Sequence, residues 1–287
     1  SKRFLNILVE KNLVSGWDDP RMPTISGLRR RGYTPSALRD FCERIGITKK
    51  DSVIEMGVLE NCIREELNVN APRAMAVINP IKVIITNYPK DQTEKLDANN
   101  HPDNSAMGTR EIAFCREIYI DKDDFMLDPP KKFFRLSPGK SVRLRYAYVI
   151  TCNDILKNKN GEIEEIHCTY DPDSKSGSSK NTKKIKGIIH WVSAIHSIDA
   201  EIRLYDRLYE IPSPGASSID AINANSLHAM KNCKLETSLA SAGQDIRFQF
   251  ERLGYFYQDS VDSKPGSLVF NRIVTLRDTW KKFTGKK

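Results

Sequence analysis

Two arginines set two residues apart, Arg143 and Arg145, lie in the run Val142-Arg143-Leu144-Arg145-Tyr146-Ala147-Tyr148-Val149-Ile150. In a strand, alternate side chains share a face, so both arginines project from one side and Val142, Leu144 and Tyr146 from the other. Two guanidiniums about 7 Å apart on a rigid surface suit phosphates or base edges. The plainer alternative is a solvated strand face with ordinary ion pairs. Arg135, upstream in Phe133-Phe134-Arg135-Leu136, belongs with them. Gln249 sits in Phe248-Gln249-Phe250-Glu251-Arg252, between apolar neighbours that face the other way. Its amide offers a donor beside an acceptor, which matches the edge of uracil. An exposed strand glutamine of no special role reads the same.

Other chemistry is not indicated. Asp18-Asp19 before Pro20 reads as a turn cap rather than an acid–base pair. The chain has no phosphate-binding Gly-rich loop, no Gly-x-Ser-x-Gly elbow and no His-x-x-x-His. Six cysteines, at positions 42, 62, 115, 152, 168 and 233, form no Cys-x-x-Cys and read as reduced, mostly buried thiols of a cytoplasmic protein. His167, His190 and His196 lack zinc-finger spacing, so no metal site is expected. No window reaches the roughly 20 apolar residues of a membrane helix, and the first residues lack a signal-peptide core. Lys and Arg total 45 against 37 Asp and Glu, a net charge of +8 that fits a polyanionic partner.

The elements that must position these residues change character along the chain. Phe4, Leu5, Leu8 and Val9 recur at helical spacing. Thr34 caps a second helix, Pro35 suits its first position, and Leu38, Phe41, Cys42 and Ile45 form its apolar face before Gly46. A third helix runs from about Glu55 to Asn68, and Arg29-Arg30-Arg31-Gly32 forms a basic knot between the first two. After Pro72 the period becomes alternating. Strands are expected at Ala74–Ile78, Lys82–Thr86, Glu111–Ile120, Val142–Thr151, Ile185–Ala194, Glu201–Tyr209, Ile246–Arg252 and Leu268–Ile273. Pro89–Thr109 and Pro172–Lys184 read as polar loops, and Lys281, Lys282, Lys286 and Lys287 as a basic tail. The fold class is α + β and multidomain: a small helical domain, then antiparallel β-barrels.

Several segments together resemble the glutaminyl-tRNA synthetase family. They are Gly16-Trp17-Asp18-Asp19-Pro20-Arg21-Met22-Pro23-Thr24, Gly27-Leu28-Arg29-Arg30-Arg31-Gly32-Tyr33 and Asn70-Ala71-Pro72-Arg73-Ala74-Met75-Ala76-Val77. Val142 to Arg145, Cys168-Thr169-Tyr170-Asp171, Lys186-Gly187-Ile188-Ile189-His190-Trp191-Val192, Ile202 to Leu208 and Phe248 to Arg252 follow in the family's order.

The resemblance implies a class I synthetase entered within its KMSKS-type loop, with Lys2 at the position of the lysine that holds ATP phosphates. The nucleotide-binding fold with its HIGH-type motif is not in the sequence, so this chain alone is expected to be inactive, with no cofactor of its own. ATP with Mg2+ and glutamine would act only through that fold. The expected partner is tRNA-Gln, with no membrane, and the family expectation is a monomer. The resemblance divides the chain into a stem-contact domain at 1–69, a proximal barrel at 70–128 and 209–287, and a distal barrel at 129–208. It assigns Arg135 to the third anticodon base, a guanine, Arg143 and Arg145 to the first, and Arg73 and Gln249 to the middle uracil, with Arg252 nearby. Lys49 and Lys50 fall where the tRNA backbone would pass. Phe134 and Tyr146 depart from the family, which often has a basic and a small polar residue there; Phe134 offers a stacking face for a base. An archaeal or eukaryotic-type glutamyl-tRNA synthetase, or a non-catalytic barrel module that works through protein partners, remains as an alternative.

Overall fold

The computed structural model describes residues 2–49, 52–178, 185–211, 220–243 and 245–277. Lys50, part of the second polar loop and the basic tail lie outside the described residues. The helices are α1 (Lys2–Glu10), α2 (Ile25–Arg31), α3 (Pro35–Ile45) and α4 (Met56–Asn70). The strands begin with β1 (Arg73–Ala74), β2 (Ala76–Val77), β3 (Pro80–Ile85), β4 (Glu94–Asn99), β5 (Thr109–Phe114) and β6 (Glu117–Asp121). They continue with β7 (Ser141–Leu144), β8 (Val149–Lys157), β9 (Ile163–Asp171), β10 (Ile188–Ile189) and β11 (Val192–Ser193). The last are β12 (Ile198–Tyr205), β13 (Leu227–Leu235), β14 (Arg247–Phe250), β15 (Gly254–Gln258) and β16 (Leu268–Val274). A helical N-terminal part is thus followed by two β-barrels. The chain forms two units, one of Ser1–Pro72, Glu201–Lys231 and Gly243–Lys287, the other of Arg73–Ala200 and Asn232–Ala242.

In the first unit the helix ends follow local chemistry. The Thr34 hydroxyl accepts from the Ala37 N–H, Pro35 opens α3, and the Gly46 N–H donates to the Cys42 carbonyl. The basic knot is itself a helix, α2. Thr24 caps it by accepting from Gly27, and Gly32 closes it at φ 109 by donating to the Leu28 and Arg29 carbonyls. Leu28 is its only buried large apolar side chain, so no period announced it. Gly32 is also a point of close approach, because a Cβ there would lie 2.4 Å from the Tyr257 Cβ. The sheet order in this unit is β14-β15-β16-β12-β13. Leu59, Ile63 and Leu67 of α4 pack with Tyr33 against Tyr255, Tyr257 and Ile273.

Charged groups staple this apolar contact. The Arg30 guanidinium, 9% exposed, meets Asp18 at 3.0 Å, Asp259 at 3.1 Å and Asp262 at 2.8 Å. Asn271 donates to Asp259 at 2.7 Å and to the Arg30 carbonyl at 3.1 Å, while Tyr205 donates to Asn271. Burial pushes the Asp259 carboxyl up, but the Asp262 N–H, the Asn271 amide and Arg30 outweigh it and hold it below the usual range. Asp19 is the turn cap expected of it. It accepts from the Ser15 N–H at 2.9 Å and the Arg21 N–H at 2.9 Å, and Arg21 Nη2 reaches it at 2.7 Å. Burial again acts upward and is outweighed by these donors, so its pKa falls to about 2.

The second unit closes a barrel. Its sheet order is β10-β7-β8-β9-β3-β6-β11, with β10–β7 and β3–β9 parallel and the other pairs antiparallel. The two outermost strands, β10 and β11, are separated in the chain only by His190 and Trp191. The chain connection therefore brings the two ends of the sheet order together. Trp191 is fully buried, edge-on to Phe114 at 5.2 Å, within a core that includes Ile81, Val83, Ile118 and Leu144.

Several expected elements are corrected. Residues expected as a polar loop at 89–109 contain β4, which pairs with β5 at Leu96↔Ile112. Only Leu96 and Ala98 of β4 are buried, and the charged outer positions hid the alternation. The expected strand at 111–120 breaks after Phe114, and that at 185–194 breaks at His190-Trp191. β9, β13 and β15 were not anticipated.

Arg30→Ala removes the nearest guanidinium from the buried Asp259 carboxylate and is expected to lower unfolding stability by about 3–5 kcal/mol, read from urea melts. Asp19 gives a pH signature. A carboxyl lowered from 3.8 to about 2 contributes its full stabilisation above the unfolded value and loses it as pH falls through the folded one. Melts between pH 5 and 2 should show a decline in stability larger by about 2 kcal/mol than that of Asp19→Asn.

Candidate nucleic-acid interface

In the second unit, residues 187–189 hold the backbone at Arg143 and Arg145 and receive the segment before Arg135. The Arg143 N–H donates to the Gly187 carbonyl at 2.9 Å and the Arg145 N–H to the Ile189 carbonyl at 2.9 Å. Both donors face the same neighbour, so the alternation expected for these two residues holds as far as Arg145. It ends there. The expected continuous strand from Val142 to Thr151 folds back, with Leu144 N–H donating to Tyr148 and Ala147 N–H to Leu144. Gly187 also receives the segment before Arg135: a Cβ on it would lie 2.2 Å from the Phe134 carbonyl oxygen. Only glycine permits that approach.

The turn after β7 contains no glycine. Tyr146 takes φ 63 instead, a left-handed conformation that costs a residue with a Cβ on the order of 1–3 kcal/mol. Three contacts hold it. The Trp191 Nε1–H donates to the Arg145 carbonyl at 2.8 Å. The Tyr146 ring packs partly against the barrel core. It also lies 5.1 Å from the Arg145 guanidinium and 5.8 Å from that of Arg110. Tyr146 is therefore not on the face opposite the arginines, as alternation predicts, but against one of them. Arg110 is fixed by the buried Glu236, at 2.5 Å from Nε and 3.2 Å from Nη2.

The guanidiniums differ in exposure. Arg143 is half-buried and donates to the Ser174 carbonyl at 2.7 Å. Arg135 is 42% exposed at its side chain and is oriented from behind. It donates to the Asp123 carbonyl at 2.7 Å, pairs with Asp124 at 3.3 Å and lies 5.8 Å from the Phe133 ring.

In the first unit, Gln249 stands on β14 opposite Tyr255, its N–H donating to the Pro72 carbonyl at 2.9 Å. The side chain is half-buried, and its amide has no hydrogen bond among the described residues. Arg252, exposed at φ 68, forms the turn from β14 to β15. Arg247 lies over the Tyr257 ring at 4.6 Å and donates to the Gly32 carbonyl. Arg73, at the start of the second unit, is 5% exposed, and its N–H donates to the Asn100 carbonyl. Lys49 is exposed beyond the end of α3, and Lys2 is exposed at the start of α1.

Three domain models of tRNA synthetases class I (E and Q) match the chain. The catalytic-domain model matches residues 1–69, and two anticodon-binding-domain models match residues 71–171 and 188–259. A Glutamine–tRNA ligase from Bradyrhizobium diazoefficiens is 53% identical over all 287 residues, which make up 51% of that relative. That of Aliivibrio fischeri is 54% identical over 98% of this chain and 51% of its own length, and that of Pseudomonas syringae pv. tomato 52% over 98% and 50%. This chain belongs to the class I tRNA synthetases of the E and Q family. It spans about half the length of the curated relatives it matches. Arg73, Arg135, Arg143 and Arg145 fall within the first anticodon-binding match, Gln249 and Arg252 within the second, and Lys2 and Lys49 within the catalytic-domain match.

Sequence reasoning missed the residues that hold these family positions in place. Gly187 had a signal in Lys186-Gly187-Ile188, but nothing near Arg110 or Glu236 pointed to the other, 126 residues away. Gly187→Ala must displace the Phe134 backbone, and overpacking of this kind costs about 1–3 kcal/mol. A chemical-denaturation midpoint lowered to that extent is expected, and an unchanged midpoint would show that the 134–135 segment moves freely.

Proposed function

We propose that this chain binds a glutamine tRNA and reads its anticodon, and that the whole protein is an ATP-dependent glutamine–tRNA ligase. The observation that supports the reading best is the placement of Arg143 and Arg145, within a stretch matching an anticodon-binding model, on a backbone pinned by residues 187–189, with the segment before Arg135 packed against Gly187. Arginine's fork pairs with the N7 and O6 acceptors of guanine, and unstacked loop bases expose edges that a duplex hides. Arg135 is assigned to the third base, and Arg143 and Arg145 to the first. Gln249, whose amide is unengaged within the described residues, is assigned to the middle uracil with Arg252 beside it. Arg73 is a further base-reading candidate. Lys49 and Lys50 are assigned to the backbone, where cations add salt-sensitive affinity without sequence information.

Lys2 is assigned to ATP phosphates. ATP, with Mg2+, is assigned to the whole protein. A cytoplasmic monomer is the accompanying expectation.

The test is binding of the chain to a glutamine tRNA transcript and to one with the middle anticodon uracil replaced, across a salt series. The replaced base should weaken binding by about 1–3 kcal/mol, and Gln249→Ala should remove the difference. Equal affinity for both transcripts would overturn anticodon reading and leave only a grip on phosphates.

A further inference from the structure

We infer that Phe134, the residue before Arg135, is a stacking platform for an unpaired nucleobase. The inference rests on the reading of this chain as an anticodon binder. Phe134 is 53% exposed, so its ring leaves the barrel core and meets solvent. An exposed aromatic on a mobile loop carries little meaning, but this one is fixed. Its carbonyl oxygen abuts Gly187, and the next residues continue into the Leu136 N–H, which donates to the Asp124 carbonyl at 3.0 Å. The backbone that carries the ring therefore has a defined position.

Its surroundings are cationic. Lys186 Nζ lies 5.4 Å from the Phe134 ring centroid. Arg135 follows immediately and is turned by Asp124 and by the Phe133 ring. Lys131 and Lys132 precede it, both exposed. An exposed ring with an ammonium near it, in a segment that also carries Lys131, Lys132 and Arg135, is a poor protein core fragment and a good receptor for a flat group attached to an anion. A nucleotide in a single-stranded loop has both parts. The base would lie on the ring with its phosphate near Lys186, and the next residue, Arg135, carries a guanidinium already oriented by Asp124. Stacking is indifferent to base identity, so Phe134 supplies affinity and Arg135 supplies choice.

The experiment uses the full chain and glutamine tRNA transcripts carrying 2-aminopurine at each anticodon position in turn. Its fluorescence falls when the base stacks. The wild-type chain should quench one position, and Phe134→Ala should abolish that quenching and weaken binding roughly five- to a hundred-fold. Phe134→Trp should restore both, whereas Phe134→Leu, which keeps bulk without a π face, should not. All variants should melt as the wild type does, because the ring lies outside the core. If the wild type discriminates the anticodon but Phe134→Ala quenches and binds equally well, the platform is wrong and the reading of the chain stands. If the wild type does not discriminate at all, the reading falls and takes the platform with it.

Discussion

A buried guanidinium is costly unless it is paired and hydrogen-bonded, and Arg30, among three aspartates, is the clearest carboxylate-bound case among the described residues. Its three aspartate partners come from a turn before α2 and from the segment after β15. The helices of the first unit are short, and α2 alone has too little apolar surface to hold its place. The Arg30–Asp259 contact ties that helix to the strands, and Asn271 closes the remaining hydrogen-bonding positions. Arg207 with Glu60 and Arg203 with Asp262 repeat the arrangement. Such pairs add little net stability over an apolar contact, but they forbid alternatives in which a charge would be left alone.

The same residue type thus serves two ends. Arg30 and Arg110 are spent inside the protein on carboxylates that never leave them. Arg135 and Arg252 present their side chains outward, and Arg143 and Arg145 sit between these extremes, anchored through the backbone to residues 187–189. A net charge of +8 says nothing about this division. What matters is which guanidiniums are supported from behind without being silenced. Support limits the conformational freedom a long side chain must lose on binding.

How much of this was legible follows from where each signal resides. The α3 helix announced itself because Thr34, Pro35 and Gly46 act on their immediate neighbours. The arginine pair and Gln249 were visible as alternation. The break after Leu144 was not, because Arg145-Tyr146-Ala147-Tyr148 lacks any turn-forming residue and the turn is held by Trp191 and Ile189 far along the chain. Arg30 read as part of a basic knot because Asp259 is 229 residues away. Local chemistry predicts helix ends well, whereas a turn or a buried charge enforced by distant partners has no local trace.

The division of the chain bears on synthesis. The second unit is enclosed by the first in sequence: residues 73–200 and 232–242 lie between segments belonging to the other. On the ribosome, α2 to α4 emerge long before β15 and β16, against which their apolar faces are completed. The helical segment must therefore wait, partly uncovered, while some two hundred residues are made. The barrel strands can pair in the interval, but residues 232–242 must follow before that unit is whole. No single cut yields either unit intact, so a nascent-chain chaperone has more reason to attend to the early helices than to the strands.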